Sequence, residues 1–381
     1  MNKSKWKDAI FASALLVSAC GLVIAAKLLG QADSPQSRAG AAKTAGEAFK
    51  NIQVLKNIPA NQLFPTMQFI ASSLDVRCDF CHVRGDFASD AKHPKLIARK
   101  MIQMEFAIDH ANFGDRKEVT CYTCHRGSSH PVGVPVIGEV AMNSPPEGGM
   151  NGGMNPSAPS ADEIVSKFTQ ALGDVTALEK INTRVEKGTV TALGRHFPIT
   201  VYAQAPDARV SIMQTPRGES TTGFNGVVGW MTGGPGPPRM MTAEDLAAER
   251  LNAAFDLALD LKQLYPQLRE ARPEKIDGKT DYVVLGLKPG QAPVKLYFDS
   301  ESGLLVRTET FSETALGANP TEVDYADYRE VNGIKVPFRW TIARPGGSFT
   351  IQVNSIQQNI PIEKSKFAAP AVAARGAPPG N

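Results

Sequence analysis

Cys78-Asp79-Phe80-Cys81-His82 and Cys121-Tyr122-Thr123-Cys124-His125 carry the same frame, C-x-x-C-H, twice within the first third of the chain. Two thiols three residues apart on a short turn point the same way, and the next residue adds an imidazole. Such a turn can bond both vinyl-derived carbons of a haem and bring the His beneath the iron, so the frame is that of c-type haem attachment. A single C-x-x-C also reads as a zinc half-site or a redox dithiol, and the two pairs together could supply four thiolates. The His directly after each pair, which a zinc ribbon does not need, favours haem at both. The expectation is two covalently bound haem c groups, attached through Cys78, Cys81, Cys121 and Cys124, with His82 and His125 as proximal iron ligands.

Outward from the two frames the pattern is helical. Met67, Ile70 and Leu74 fall at i, i+3 and i+7 and predict a helix that stops just before Cys78. A second helix is predicted from about Pro94 to His110, with Ile97, Met101, Met104 and Ile108 on one stripe and Pro94 in its first turn. A thioether on either stripe can serve as the sixth ligand of an iron, and Met in that place raises the reduction potential. The commoner use of Met on such a stripe is to fill the core. By spacing, Met67 suits the first haem, and Met104, then Met101, suit the second. His110, His130 and His93 are the alternatives there. Lys92, Lys95, Arg99 and Lys100 read as a solvated helix face, with docking to an acidic redox partner as the rival reading.

Lys3, Lys5 and Lys7 precede an apolar run from Ala9 to Ala26, a pattern of export or membrane anchoring. At about 1.5 Å per residue this run is at the short limit for crossing a bilayer. Val17-Ser18-Ala19-Cys20 is similar to a bacterial lipobox, which makes the fifth cysteine, Cys20, a candidate lipidation site. An uncleaved helix ended by Lys27 competes with it, and cleavage near Ala32 is a third reading. All three put the rest of the chain outside the cytoplasm, on the periplasmic face of a membrane or otherwise exported.

The predicted organisation is 1–30 as signal or anchor, 31–48 as tether and 49–142 as the dihaem domain. A Gly/Pro/Asn linker over 143–160, a second domain over 161–368 and a tail over 369–381 follow. The second domain opens with Ser160-Ala161-Asp162-Glu163, a capping box for a helix to about Leu172. Alternating runs at Ile199–Tyr202, Val210–Ile212, Tyr282–Leu285, Val294–Phe298 and Leu304–Arg307 predict strands, and Asn332-Gly333 predicts a hairpin turn. One long helix from about Ala243 to Tyr265 is predicted behind Thr242. Roughly nine or ten strands and two helices make an antiparallel sheet with helices on one face. The loop Gly233–Pro238 reads as a flap or a plain connection, and His196 as an exposed polar residue.

Across 381 residues, Lys+Arg 41 against Asp+Glu 38 leave a formal charge of +3, too near balance for a nucleic-acid partner. No phosphate-binding glycine loop and no supported catalytic triad occur.

The stretch from Met67 to His82 resembles the cytochrome c subunit of photosynthetic reaction centres, in which each haem unit is a helix, a turn and C-x-x-C-H. The likeness continues through Asp86-Phe87, Ile97 to Met104, and Cys121 to His125 with Arg126-Gly127. It covers the later, two-haem half of that family's four-haem unit. The resemblance implies an electron carrier rather than an enzyme, Met67 as axial ligand of the first haem, and redox partner proteins within a membrane electron-transfer complex. A dihaem peroxidase or reductase is the rival class. Val294 to Val306 and Asp324 to Pro337 make the second domain similar to the lipoprotein-carrier half-barrel, which implies a lipid or peptide in its concave face. The fold expected is thus multidomain, a mainly α dihaem domain followed by an α+β antiparallel half-barrel.

Overall fold

The computed structural model describes residues 43–133, 159–233 and 238–370. The export segment with Cys20, most of the tether and linker, and the end of the tail lie outside the described residues, as does most of the Gly233–Pro238 loop. Among the described residues no helix is long and apolar enough to cross a membrane.

The first part is helical: α1 (Ala45–Ala48), a 3-10 turn (Ala60–Gln62), α2 (Leu63–Leu74), α3 (Cys78–Cys81), α4 (His93–Phe113) and α5 (Cys121–His125). Helix α1 falls inside the stretch read as tether. Thr44 and Glu47 form a capping box there, and Ala45 is fully buried. Helix α2 ends at Asp75, which takes the left-handed conformation (φ +50°). Helix α4 has Pro94 in its first turn and is closed by Gly114 at φ +60°, a geometry that suits glycine.

The second part opens with α6 (Ala161–Leu172), capped by Ser160 as the sequence predicts, and α7 (Val175–Glu179). Strands follow as β1 (Thr183–Ala192), β2 (Arg195–Gln204), β3 (Ala208–Thr215), β4 (Gly218–Asn225), β5 (Gly229–Thr232) and β6 (Arg239–Met240). Helices α8 (Ala243–Ala253) and α9 (Leu257–Leu264) come next. The chain then adds β7 (Gln267–Ile276), β8 (Lys279–Leu287), β9 (Val294–Asp299), β10 (Leu305–Thr314), β11 (Gly317–Val331), β12 (Ile334–Arg344) and β13 (Gly347–Gln358). All thirteen form one antiparallel sheet, ordered β6-β5-β4-β3-β2-β1-β13-β12-β11-β10-β9-β8-β7. It is two meanders joined where the first strand pairs with the last, Val190 opposite Ile351. Asn332 (φ +52°) and Gly333 (φ +83°) make the two-residue turn between β11 and β12, both residues in the conformation such a hairpin demands.

The core lies between this half-barrel and the helices. Phe168, Leu261, Val284, Leu296 and Phe298 pack at one end, with the Phe168 and Phe298 rings 5.3 Å apart. Leu178, Phe255, Ile334, Trp340 and Ile351 pack at the other. On the reverse face a closing 3-10 turn, Lys364–Phe367, lays Phe367 against Val210 and Trp230.

The sequence predicts one long helix behind Thr242, and the structure has two. The break falls at Ala254–Asp256, where the Phe255 N–H bonds the carbonyl of Pro206 (3.1 Å) and the ring turns into the core. Burying a Phe is worth about 1.5–3 kcal/mol, more than the local gain from continuing the helix. The helical first part has a small core of its own, Leu55, Phe69 and Ile102, and Leu316 from the β10–β11 turn completes it.

Candidate functional site

Each C-x-x-C-H frame sits on its own helical turn, α3 or α5, with all four cysteines free. Among the described residues no three His, Cys, Asp or Glu side chains converge as a metal cage, so the two pairs do not merge into a tetrathiolate site. Helix α2 packs against α5, and α4 touches both α3 and α5. The link between α2 and α5 is a main-chain bond from the Gly127 N–H to the carbonyl of Ser73 (3.0 Å), reached because Arg126 and Gly127 both turn left-handed after His125.

The two histidines are held alike. His82 Nδ1 lies 3.0 Å from the carbonyl oxygen of Phe87, and His125 Nδ1 lies 2.8 Å from that of Ser128. A carbonyl only accepts, so Nδ1 carries the proton in each ring and the Nε2 lone pair is free for a metal. The Phe87 ring stands 5.4 Å from the His82 ring.

Of the sixteen large hydrophobic side chains exposed among the described residues, eleven lie between Phe49 and Val132. They include Phe64, Phe80, Phe87, Met101, Met104 and Tyr122, around the two frames. A folded chain rarely leaves so much apolar surface open unless something broad and apolar covers it. Paired thiols on one turn, a committed imidazole tautomer and flanking apolar surface together fit a covalently attached haem at each frame.

Helix α4 shows how the stripe predicted from sequence is used. Ile97, Met101 and Met104 stay exposed, and the face turned into the protein carries Lys95, Ile102, Glu105 and Asp109. Met67 is half-buried on α2, packed on the cluster of Leu55, Phe69, Ile102 and Leu316, which Cys121 also adjoins. His93, His110 and His130 are exposed, and His110 pairs with Asp115 at 2.9 Å.

Lys95 and Arg99 are not on a solvated face, contrary to the charge pattern. The buried Lys95 Nζ donates to the carbonyls of Phe87 (2.9 Å), Ala88 (3.0 Å) and Ser89 (2.9 Å) and lies 3.2 Å from Asp90. Arg99 donates to both Asp90 oxygens and to the carbonyl of Asn51. The Arg99 guanidinium foremost holds the Asp90 carboxyl down at about 2. Lys92 donates to the carbonyl of Asp79. The network clamps the loop whose Phe87 carbonyl orients His82. Sequence spacing could not reveal it, since the lysine looks like any other on a basic helix.

In the second frame the Cys121 thiol donates to the Glu105 carboxylate (3.1 Å). Burial pushes Glu105 up to about 7 and raises the Cys121 thiol.

The half-barrel carries a second feature, a cavity of about 210 Å³ between the sheet and α6–α9, lined by Phe168, Leu178, Arg184, Arg209, Phe255 and Trp340 among others. Two ion pairs stand at it: Arg184 with Glu186 (3.9 Å), both in the lining, and Arg209 of the lining with Glu249 behind it (3.7 Å). The Arg184 guanidinium stacks 5.0 Å over Phe255 and that of Arg209 5.6 Å over Trp340. Burial raises both glutamates and pushes Asp256 up to about 6. The sequence reading missed these charges. Their signal is the alternation in β1, which puts Arg184 and Glu186 in register with the core residue Val190.

Fold and site define a two-part chain: a helical unit built around two C-x-x-C-H turns, and an antiparallel half-barrel. A family model described as photosynthetic reaction centre cytochrome C subunit matches residues 22–175. The chain is 34% identical over 109 residues to the photosynthetic reaction center cytochrome c subunit of Thermochromatium tepidum, covering 26% of this chain and 27% of that one. It is 33% identical over 111 residues to the protein of the same name from Roseobacter denitrificans, covering 26% and 29%. The chain therefore spans little more than a quarter of the length of these relatives. The half-barrel is similar to a LolA superfamily protein from Nitrosomonas europaea, at TM-score 0.39 and 14% identity over 55% of this chain and 98% of that one.

Proposed function

We propose that the chain is an exported, membrane-tethered dihaem c-type cytochrome that relays single electrons between protein partners and is not an enzyme. The observation that carries this reading is the pair of frames in which Nδ1 of the following His is committed to a carbonyl. The similarity to reaction-centre cytochrome c subunits over the same residues supports it. Cys78 and Cys81 hold one haem and Cys121 and Cys124 the other, with His82 and His125 as proximal ligands. Met67 caps the first iron, and Met104 or Met101 the second. Bound haem supplies an iron that changes oxidation state by one electron without bond making at the protein. The protein's part would be to hold His82 and His125 in one tautomer and to tune the potential through the bonds their Nδ1–H groups make to the Phe87 and Ser128 carbonyls.

In this reading residues 49–142 form the redox domain and 161–368 a second domain whose cavity takes a lipid chain or peptide segment. Cys20 or the apolar run around it tethers the whole outside the cytoplasm. A redox titration of the protein matured with a haem-attachment system tests the function. Two low-spin haems, reversibly reduced and inert to carbon monoxide and peroxide, are expected. Turnover of peroxide would replace the relay with a haem enzyme.

A further inference from the structure

The β10–β11 turn leaves the sheet and enters the helical unit. Leu316 at its tip is fully buried, among Leu55, Phe69 and Ile102, with Met67 and Cys121 against the same cluster. Gly317 has φ +144°, and a Cβ there would come within 2.5 Å of the Phe69 ring on α2. The turn is shaped from within: the Thr314 hydroxyl donates to the carbonyl of Gly317 (2.7 Å) and accepts from the Leu316 N–H (3.2 Å). It is also held from outside. Lys117, which precedes α5, donates to the carbonyl of Thr314 and pairs with Glu313 at 3.3 Å. Asn319 donates to the carbonyl of Pro65 (3.1 Å), and Gln68 on α2 donates to that of Pro345 (3.3 Å). Helix α2 is thus gripped by the sheet on both sides of Met67.

We infer that Leu316 is a positioning residue for the haem unit, a wedge from the half-barrel that seats α2 against α5 and so fixes the Met67 thioether and the Cys121 attachment. The physical ground is the size of the helical unit. It buries few apolar side chains of its own, Ala45, Leu55, Phe69 and Ile102, too few to hold α2 rigidly, and leaves many others exposed. One inserted Leu supplies a central contact, and an axial thioether bond to iron, weak and easily lost, depends on the placement of the helix that bears it. The half-barrel then acts on the redox site as well as carrying a cavity of its own.

This inference rests on the proposed role of Met67, and the experiment separates the two. Full-length, haem-loaded Leu316→Ala, Leu316→Met and Met67→Ala variants are compared by the sulfur-to-iron charge-transfer band, by carbon monoxide binding and by potentiometry. Leu316→Ala is expected to lower the ratio of Met-ligated to open haem about tenfold or more, a change equivalent to about 1.4 kcal/mol. The potential of the first haem falls with it, and Leu316→Met restores both. If Met67→Ala leaves the band intact, the ligand assignment fails. If Met67→Ala removes the first haem's share of the band and Leu316→Ala leaves band and potential unchanged, the wedge is overturned. Should Leu316→Ala not fold, Lys117→Met carries the test: it removes an outer grip on the turn from a half-exposed position, and an unaltered band and potential would overturn the wedge equally.

Discussion

Replacing Lys95 by Met removes a buried ammonium that donates to three successive carbonyls, at 2.9, 3.0 and 2.9 Å, and lies 3.2 Å from Asp90. Hydrogen bonds to a charged group contribute about 1.5–3 kcal/mol each, and breaking a buried ion pair costs about 3–5 kcal/mol. These do not add here. Phe87 is exposed, so water reaches part of the loop, and Asp90 keeps Arg99 at 2.8 Å. Met also retains the apolar stem. The expected loss is about 2–4 kcal/mol, read as a lower urea midpoint at unchanged slope for the haem-loaded protein. A second effect has a definite sign. Lys95 and His82 share the Phe87 carbonyl. Without the ammonium that oxygen accepts more strongly from Nδ1–H, the imidazole becomes a better donor to ferric iron, and the potential of the first haem falls. Loss of a nearby positive charge acts in the same direction. A change under about 0.5 kcal/mol, the usual surface value, together with an unchanged or higher potential would refute the clamp.

Substituting Ser160→Ala removes the hydroxyl that accepts from the Glu163 N–H and should cost about 1 kcal/mol in the unfolding of the half-barrel, measured by circular dichroism. Asp256 titrates at about 6 in the folded protein, where burial is the main cause, and near 4 when unfolded. The folded state therefore binds the extra proton between these values, and stability falls as pH rises from about 4 to about 6. Asp256→Asn should flatten that part of a denaturant-midpoint profile and be more stable than the parent at pH 8. A Gly223→Ala chain would place its Cβ 2.3 Å from the Trp230 ring, so a fall in thermal midpoint accompanied by altered Trp fluorescence is expected.

What the sequence made legible was local chemistry. The two frames, the capping box at Ser160, the Pro94 helix start and the Asn332-Gly333 turn each depend on a few neighbouring residues, and each occurs where its pattern predicts. Tertiary effects were hidden. Strand β7 carries Arg269, Glu270, Arg272, Pro273 and Glu274, which deny it any apolar alternation, yet as an edge strand it tolerates both the charges and a proline at its register shift. Strand β4 is mostly Gly, Ser and Thr and shows no apolar alternation, yet its backbone pairs with β3 and β5, so the sheet has thirteen strands where alternation suggested nine or ten. Lys95 gave no sign of burial, because its carbonyl partners lie in a loop with no periodicity. Leu316 lay far in sequence from the helices it completes, and only the long-range fold brings them together.

The central claim is that both frames carry a covalent haem. Intact mass measurement of the protein matured with a haem-attachment system, beside a variant with Cys121→Ser and Cys124→Ser, tests it most directly. The account predicts a mass increase of two haems for the parent and of one for the variant. A parent mass with no haem, or with a single haem that persists in the variant, would contradict it.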